Sequence, residues 1–463
     1  MKRLLLFVVF LPASAILAAA PVRIATFRAD ATPPLGSALC GGGVKAASEI
    51  VLPLHALGLV LVADGQKPIV LCAVDWTGIG NDAHKEWRAA LAKAAGTTAD
   101  RVAVHSLHQH DAPSSDYSVS KMLADFGLAE RFSNNRHCRK VMANTAAALS
   151  RAMGKLQPVT HLGLGRAKVE MFASNRRPLG PDGRVSHVRY SSCRDPKVRA
   201  LPEGVIDPFV RLVSFWNGER PVAVLSYYAT HPQSFYGRGG VNPDTLGIAR
   251  AARDKALPGT VHIHFNGAGG NVAAGKYNDG SPKNRAILAN RLATGMAAAW
   301  RATVKQPLRA ADIQWRVKPV VLPLRKMYRD TAKLEAILKD VKAGPAQRTR
   351  AARNLIWARR VQAKDPIELT CLRLGRHGQA SILHLPGELF VEYQLKAQEL
   401  RPDLFVAMAS YGDYAPGYIC TEIAYTEGGY EASAMASLVD PGVEKVLTKA
   451  IRRLLGAEKK AAP

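Results

Sequence analysis

The stretch LGLVLVADGQKPIVLCAV, residues 57–74, contains two short apolar runs on either side of a turn. Residues 57–63 and 69–74 predict a β-hairpin, because both runs are rich in Val, Leu and Ile and Asp64-Gly65 is a typical turn pair between strands. A helical pattern follows the second run. A hairpin that leads directly into a helix favours an α/β fold over an all-β one.

Strands and helices alternate along the rest of the chain. The predicted elements are a helix over 83–96, a strand over 101–106, a helix over 138–154, strands over 210–216, 222–228 and 260–265, a helix over 283–304, strands over 380–385 and 404–408, and a helix over 441–455. Residues 326–364 differ, because Lys, Arg, Ala and Leu recur at helical spacing on both sides of Gly344-Pro345. We expect a basic helical hairpin there, on the outside of the fold. The pattern predicts an α/β class with a layered mixed β-sheet, flanking helices and one large domain over 21–463, into which 326–364 is inserted.

The composition is that of a globular protein with a large excess of positive charge. Hydrophobic residues make up 48% of the chain and charged residues 22%, which excludes a disordered chain or a fibre. The 63 Lys and Arg outnumber the 37 Asp and Glu, so the formal charge is +26. This charge favours contact with an anionic surface. Because the basic residues are spread along the chain and form no nucleic-acid-binding motif, we expect no nucleic acid partner.

The N-terminus predicts a signal peptide over 1–20. Lys2 and Arg3 precede an apolar run over 4–17, and Ala18-Ala19-Ala20 provides small residues for cleavage. No later stretch is apolar for long enough to predict a transmembrane segment. We therefore expect a secreted or periplasmic protein whose formal charge is +24, which is +26 less the two charges of Lys2 and Arg3. An uncleaved N-terminal anchor is the alternative.

None of the six cysteines forms a CxxC pair, which excludes zinc-finger and thioredoxin-type sites. Cys72 lies within an apolar run and is predicted to be a buried free thiol. Export permits disulfides, and a bridge between Cys138 and Cys193 is one candidate.

Two predicted strands run directly into histidines. In α/β folds, ligands bind where strands end. His108 and His110 follow the strand over 101–106, and on an extended chain residues two apart share a face, so both imidazoles could point at one ion or substrate. Asp111 could orient one of them. His231 follows the strand over 222–228. Each histidine by itself could equally have a structural role.

Two further strand ends carry other polar residues. The glycine-rich loop after the strand over 260–265 includes Asn266, Gly270 and Asn271, and its backbone N–H groups could approach a ligand, although a tight turn is the alternative. Glu388 follows the strand over 380–385, where a desolvated carboxylate needs a cation as partner.

Several tyrosines follow in the last fifth of the chain, among them Tyr418, Tyr425 and Tyr430. They could simply pack, or a phenol could ligate a cation or donate to an oxyanion. Two histidines, one glutamate and a fourth oxygen donor make up a common catalytic zinc set.

Eight short motifs together resemble the neutral/alkaline (non-lysosomal) ceramidases and occur in that family's order. They are DATPPLG at 30–36, HQHDAP at 108–113, NRRP at 175–178, ATHP at 229–232, NPDTLG at 242–247, PGE at 386–388, GYICT at 417–421 and GYE at 429–431. The resemblance covers roughly residues 22–455. It implies a zinc-dependent hydrolase that cleaves an amide between an acyl group and an amino alcohol with metal-activated water.

Carried over to this chain, the resemblance implies Zn²⁺ held by four residues, with other residues in catalytic and substrate-binding roles. The implied zinc ligands are His108, His231, Glu388 and Tyr418; the implied catalytic residues are His110, Arg176 and Tyr430; and the substrate-binding candidates are Asn266, Gly270, Asn271 and Tyr425. Arg176 and a tyrosine hydroxyl would stabilise the oxyanion, and His110 would serve the leaving amine as acid or base.

The chain departs from the family pattern at four points. His110 is followed by Asp111-Ala112, where the family has Ser-Gly. The family's serine is Ala273 here, which closes a serine-nucleophile route and leaves metal-activated water. The family's C-terminal β-sandwich is not expected, and the basic segment 326–364 is additional. We therefore expect a small-molecule or lipid-like amide, or an ester, other than ceramide. The alternatives are a catalytically inactive binding protein for acylated or anionic ligands and a hydrolase of ester or phosphate bonds.

Overall fold

The computed structural model describes residues 21–457, so the predicted signal peptide over 1–20 lies outside the described residues. Most of the strands belong to three mixed sheets. In spatial order, the first sheet contains Val102–Ser106, Ile69–Val74, His55–Ala63, Val22–Asp30 and Gln157–Val159. The second contains Val261–Asn266, Arg220–Tyr228, Phe209–Asn217, His161–Lys168 and Val304–Pro307. The third contains Gln314–Val320, Ile367–Leu374, Ala380–His384 and Phe405–Ala409.

The predicted hairpin at 57–74 is confirmed. Strands His55–Ala63 and Ile69–Val74 pair antiparallel, with Ala56 opposite Val74 and Leu61 opposite Ile69. Gly65, in the turn, has φ +74°, a conformation that costs glycine least. The α/β class is confirmed as well, but the strands are divided among three larger sheets instead of one, and the strand Val22–Asp30 that pairs with this hairpin carried no signal that we recognised.

Each of the three sheets contains one parallel strand pair joined by a helix. The crossover helices are Asn81–Ala95 in the first sheet, Asp244–Ala256 in the second and Val391–Leu400 in the third. Parallel pairing brings the carboxyl ends of both strands of a pair to the same sheet edge. The first parallel pair runs into His108, the second into His231 and the third into Glu388.

The remaining helices flank these sheets. They are Tyr117–Ala124, Ala129–Phe132, Asn135–Met153, Pro196–Ala200, Lys283–Arg301, Thr331–Lys339, Pro345–Gln362, Ala424–Glu427 and Val443–Leu455. Within residues 21–457, none of the helices combines the length and the apolar character that crossing a bilayer requires.

The segment 326–364 forms two helices, Thr331–Lys339 and Pro345–Gln362, as the sequence predicts. Its expected position on the outside is wrong for the longer helix. Leu355 and Trp357 are buried in the core, and Arg360, also buried, pairs with Asp413 over 2.6 Å. This helix is therefore embedded in the protein along much of its length.

Apolar side chains alternate between the two faces of the first sheet. Leu57, Leu59 and Leu61 point into a core shared with the second and third sheets, whereas Val60 faces a second core against the helix Asn135–Met153. This period of two follows from strand geometry and leaves both faces of the sheet covered.

The cysteines do not form the expected bridge. All six are free thiols, Cys138 being buried beside Ser133 and Cys193 half-buried. The predicted disulfide between them is therefore wrong. Cys72 is a buried free thiol, as predicted.

Candidate metal centre and adjoining cavity

His108, His231 and Glu388 converge at the meeting point of the three parallel strand pairs. All three are buried, with exposures of 1%, 1% and 2%. Nε2 of His108 lies 3.1 Å and Nε2 of His231 lies 3.0 Å from Oε2 of Glu388. Their ligand atoms lie within 4.8 Å of one another. Three residues separated by as many as 280 positions thus present a compact set of donor atoms.

The other ring nitrogen of each imidazole fixes its tautomer. Nδ1 of His108 donates to the carbonyl oxygen of Thr77 over 2.8 Å, and Nδ1 of His231 donates to that of Gly269 over 2.6 Å. With the proton on Nδ1, each Nε2 carries a lone pair directed at the carboxylate of Glu388. Three acceptor atoms so close together repel one another unless a cation lies among them. The donor set therefore fits a divalent metal ion.

The charge states of two of these groups agree with this fit. Burial, followed by the positive charge of Arg176, lowers the pKa of His231 to about 4, so the imidazole is neutral at pH 7. Burial by itself would raise the pKa of Glu388, but protons on the two facing imidazoles, whose place a metal ion would take, outweigh burial and hold that pKa well below its usual value. Neutral imidazoles and an ionised carboxylate are the forms that bind zinc.

Strained backbone holds His108 in place. His108 has φ +70°, a left-handed conformation that is costly for a residue with a side chain, and Tyr411 has φ +59°. The rings of these two residues stack with centroids 4.6 Å apart. The expectation of an extended chain through His108 is therefore wrong. Nδ1 of His110 instead donates to the carbonyl oxygen of His108 over 3.1 Å.

His110 lies beside the cluster, outside the group of potential ligands. Its ring centroid is 4.8 Å from that of His108 and 6.4 Å from that of His231. Asp111 does not orient either of the ligand histidines, because its carboxylate accepts hydrogen bonds from the backbone N–H of Gly237 and from Asn242.

Gly270 supports Glu388 through backbone packing. Its N–H donates to the carbonyl oxygen of Leu389 over 2.7 Å. A Cβ atom at position 270 would lie 2.4 Å from the carbonyl oxygen of Glu388, closer than real contacts allow. The glycine-rich loop thus contacts the two-residue strand Glu388–Leu389, which carries the carboxylate, and this is why a glycine is needed there.

Tyr414 belongs to the tyrosine-rich stretch that follows Glu388 in the sequence, and it is a site residue to which the sequence analysis gave no role of its own. Its hydroxyl donates to Oε1 of Glu388 over 2.7 Å, on the opposite carboxylate oxygen from the imidazoles. Nothing in the local sequence distinguishes Tyr414 from its neighbours Tyr411 and Tyr418, since the contact depends on how the chain returns after the strand Phe405–Ala409.

Arg176 joins the cluster to Tyr418. Nη1 of Arg176 lies 3.0 Å from the hydroxyl oxygen of Tyr418 and 3.2 Å from Nε2 of His231. The buried carboxylate of Glu431 forms an ion pair with Nε of Arg176 at 3.0 Å. The ring of Tyr430 lies 5.9 Å from that of Tyr418. These predicted residues are therefore brought together, and Glu431 is an anchor that sequence reasoning did not identify.

Three predicted substrate-binding side chains make contacts within the protein instead. Asn266 donates to the carbonyl oxygen of Leu107, Asn271 donates to Glu392, and the hydroxyl of Tyr425 contacts Ser437 and Val439. These contacts brace the loops around the cluster. Their role in substrate binding stays a prediction.

A cavity of about 480 Å³ adjoins the cluster. Glu388, Tyr414, Tyr418 and Tyr430 form part of its wall. The helix Pro345–Gln362 forms another part. His108 and His231 do not line the cavity; they lie behind Glu388, in contact with its carboxylate. The cavity therefore meets the cluster at Glu388, on the side where Tyr414 and Tyr418 lie.

No protein-family model and no curated protein matches the chain. Solved structures do match its fold. A crystal structure of neutral ceramidase from Pseudomonas aeruginosa superimposes with a TM-score of 0.69 at 17% identity, over 95% of this chain and 75% of that one. A ceramidase complexed with C2 gives a TM-score of 0.69 at 16% identity, over 96% and 77% of the two chains. At this identity, the likeness establishes the fold of the chain and leaves its activity to be argued from the site.

Proposed function

We propose that the chain is an exported, zinc-dependent hydrolase of the neutral ceramidase type that cleaves an N-acyl amide bond. The observation that carries this proposal is the convergence of His108 Nε2, His231 Nε2 and Glu388 Oε2 with their lone pairs directed inward. The fold likeness to neutral ceramidases supports the same assignment. Export and secretion to the periplasm or medium rest on residues 1–20 alone.

Zinc is the metal that this donor set favours. Two imidazole nitrogens and one carboxylate oxygen are a common catalytic zinc set, with room for further ligands. Tyr418 is our proposed fourth ligand, since its hydroxyl oxygen lies 3.2 Å from Nε2 of His231. Zinc in such a site supplies Lewis-acid polarisation of a carbonyl and makes water nucleophilic near neutral pH.

Arg176 is the proposed binder of the substrate carbonyl oxygen. Its guanidinium is buried beside His231 and anchored by Glu431, so it presents a fixed positive charge at the edge of the cluster. A pre-oriented cation of this kind stabilises the negative charge that a carbonyl oxygen gains when its carbon is attacked. Tyr430, beside Tyr418, is the proposed second contact to the substrate.

His110 is the proposed proton carrier. Its Nδ1–H is used by the carbonyl oxygen of His108, which leaves the lone pair of Nε2 free. Nε2 would accept a proton from the attacking water and return it to the nitrogen of the leaving amine, so that acid and amine are released and the imidazole is regenerated. No hydroxyl nucleophile is required, in keeping with Ala273 at the position of the family's serine.

The proposal is tested by metal content and hydrolysis together. The purified chain, prepared without chelator, should contain about one zinc per chain and should hydrolyse an N-acyl amide. Glu388→Gln keeps the shape of the side chain but removes its charge, and it should lose both zinc and activity. Glu399→Gln, at an exposed carboxylate paired with Lys396, is the matched control and should change neither. A wild-type chain without bound metal would favour the alternative, a binding protein for acylated or anionic ligands.

A further inference from the structure

One wall of the cavity beside Glu388 is basic. The helix Pro345–Gln362 contributes Ala346, Thr349, Arg350 and Arg353 to it. These positions follow a spacing of three and four residues, so they lie along one face of the helix. Arg131 adds a third guanidinium from another part of the chain. The segment that the sequence identifies as an addition to the ceramidase pattern thus forms part of the binding cavity.

Of these three arginines, Arg353 is the least exposed. It is half-buried, and among residues 21–457 its side chain has neither a hydrogen-bond partner nor an ion pair. Other arginines of the same helix are paired, Arg359 with Glu335 and Arg360 with Asp413. The charge of Asp116 acts on Arg353 through space, without an ion pair. A ligand that brings an anion would give this half-buried cation the direct partner that it lacks.

Arg353 also lies close to the metal cluster. Its guanidinium carbon is 5.8 Å from the ring centroid of Tyr414, and the hydroxyl of Tyr414 donates to Glu388. The span of one tyrosine side chain therefore separates the cation from the carboxylate. A ligand that contacts both must reach along the side chain of Tyr414, with its anionic group at one end and the group that reacts at the other.

The cavity itself offers no counter-ion for these arginines. Among the described residues that line it, Glu388 is the single acidic one, and its two oxygens face Tyr414 on one side and the imidazoles on the other. The larger apolar side chains in the lining are Met435 and Leu438. Such a lining suits a charged ligand better than the two long hydrocarbon chains of an uncharged lipid.

We propose that the amide cleaved at this site carries an anionic group, a carboxylate or a phosphate, which Arg353 binds with help from Arg350 and Arg131 at the rim. The proposal rests on the proposed hydrolase function and names its substrate class. Guanidinium groups bind both kinds of anion in a two-pronged geometry. N-acyl amino acids and N-acyl aminoalkyl phosphates are compounds of this class.

Three probes that share the same acyl chain distinguish a carboxylate, a phosphate and a neutral substrate. N-dodecanoylglycine carries a carboxylate, N-dodecanoylethanolamine is its neutral counterpart, and the phosphate ester of the latter carries a phosphate. Binding is measured by calorimetry and hydrolysis by release of the amine, for the wild type, Arg353→Gln and the control Arg359→Gln, whose guanidinium lies on the same helix but is paired with Glu335.

The wild type should bind at least one anionic probe about tenfold or more tightly than the neutral one. Arg353→Gln should remove this preference by weakening the binding of the anionic probe far more than that of the neutral one, whereas Arg359→Gln should keep the preference. Whichever anionic probe binds with the higher affinity, carboxylate or phosphate, identifies the anionic group that the cavity prefers. Equal affinity of the wild type for all three probes, or an equal loss for all three in Arg353→Gln, would overturn the proposal. Selective anion binding by a zinc-loaded chain that hydrolyses none of the probes would support this inference and count against the hydrolase.

Discussion

Nη1 of Arg176 donates a hydrogen bond to the hydroxyl oxygen of Tyr418 over 3.0 Å, although the two residues are 242 positions apart in the chain. The same hydroxyl lies 3.2 Å from Nε2 of His231. Burial raises the pKa of Tyr418 well above its usual value, and Arg176 offsets only part of that rise. The phenol therefore keeps its proton until a further positive charge, such as a metal ion, is added beside it.

Tyr418→Phe tests whether this phenol is a ligand. We expect zinc affinity to fall more than tenfold, because the change removes one donor atom and leaves Arg176 unpaired toward the cluster. Competition with a fluorescent zinc chelator measures the affinity. Tyr425→Phe removes a hydroxyl that contacts Ser437 and Val439, and it is the control. Unchanged zinc binding in Tyr418→Phe would show that Tyr418 lies beside the site and is not a ligand.

His108→Ala and His231→Ala should each abolish zinc retention and activity together. Both imidazoles face the same oxygen of Glu388. The loss of either removes one of the two nitrogen donors and leaves a single imidazole with Glu388 and the proposed ligand Tyr418, a set too weak to retain zinc. Metal analysis of the purified variants and amide hydrolysis are the measurements. The exposed His187→Ala serves as control. Full activity after either ligand change would remove the basis of the metal centre.

Gly270→Ala should weaken zinc binding indirectly, by displacing the backbone of Glu388. A Cβ at this position would lie 2.4 Å from the carbonyl oxygen of Glu388, so the strand carrying the carboxylate must shift. We expect a lower melting temperature and reduced zinc affinity. Gly154→Ala is a matched control, because φ there is −79° and the nearest atom to its added Cβ would be 3.6 Å away. The explanation fails if both variants bind zinc alike.

Ala273→Ser restores the hydroxyl that the ceramidase pattern has at this position. We expect a modest change in activity, since the proposed reaction uses water and not a side-chain nucleophile. Ala273 is fully buried, and its carbonyl oxygen accepts a hydrogen bond from Ser174. A gain of several orders of magnitude in hydrolysis rate would show that a serine route had been misjudged.

His262→Leu should reduce the sensitivity of the fold to acid. Burial, with a smaller effect from Arg253, lowers the pKa of His262 to about 3, and within residues 21–457 neither ring nitrogen has a hydrogen-bond partner. The unfolded chain takes up this proton below pH 6.5 and the folded chain does not, so stability present above pH 6.5 is lost as the pH falls toward 3.

At pH 5 this single group costs about 2 kcal/mol of the free energy of unfolding. His262→Leu should recover about that amount at pH 5 relative to its effect at pH 8, as measured by urea denaturation at both values. His187→Leu, at an exposed histidine, should show no such difference. An identical effect of His262→Leu at both pH values would mean that this imidazole is protonated in the folded protein.

The elements of the core were readable from the sequence. The hairpin at 57–74, the strands around Asn217-Gly218 and the helix that ends at Gly154 follow from apolar periodicity and turn residues, which are properties of neighbouring positions. The strand Val22–Asp30 and the division into three sheets could not be predicted from the sequence, because strand pairing depends on segments that are far apart in the chain.

The types of residue in the candidate site were also determined by the sequence, since His108, His231 and Glu388 each stand where an apolar strand gives way to polar residues. Only the tertiary structure decided which nitrogen of each imidazole is free and that Tyr414 and Arg353 belong beside them. The carbonyl oxygens of two loop residues, Thr77 and Gly269, set the first, and the return of distant segments to one sheet edge set the second. Such contacts depend on spatial distances, which the order of residues along a chain does not contain.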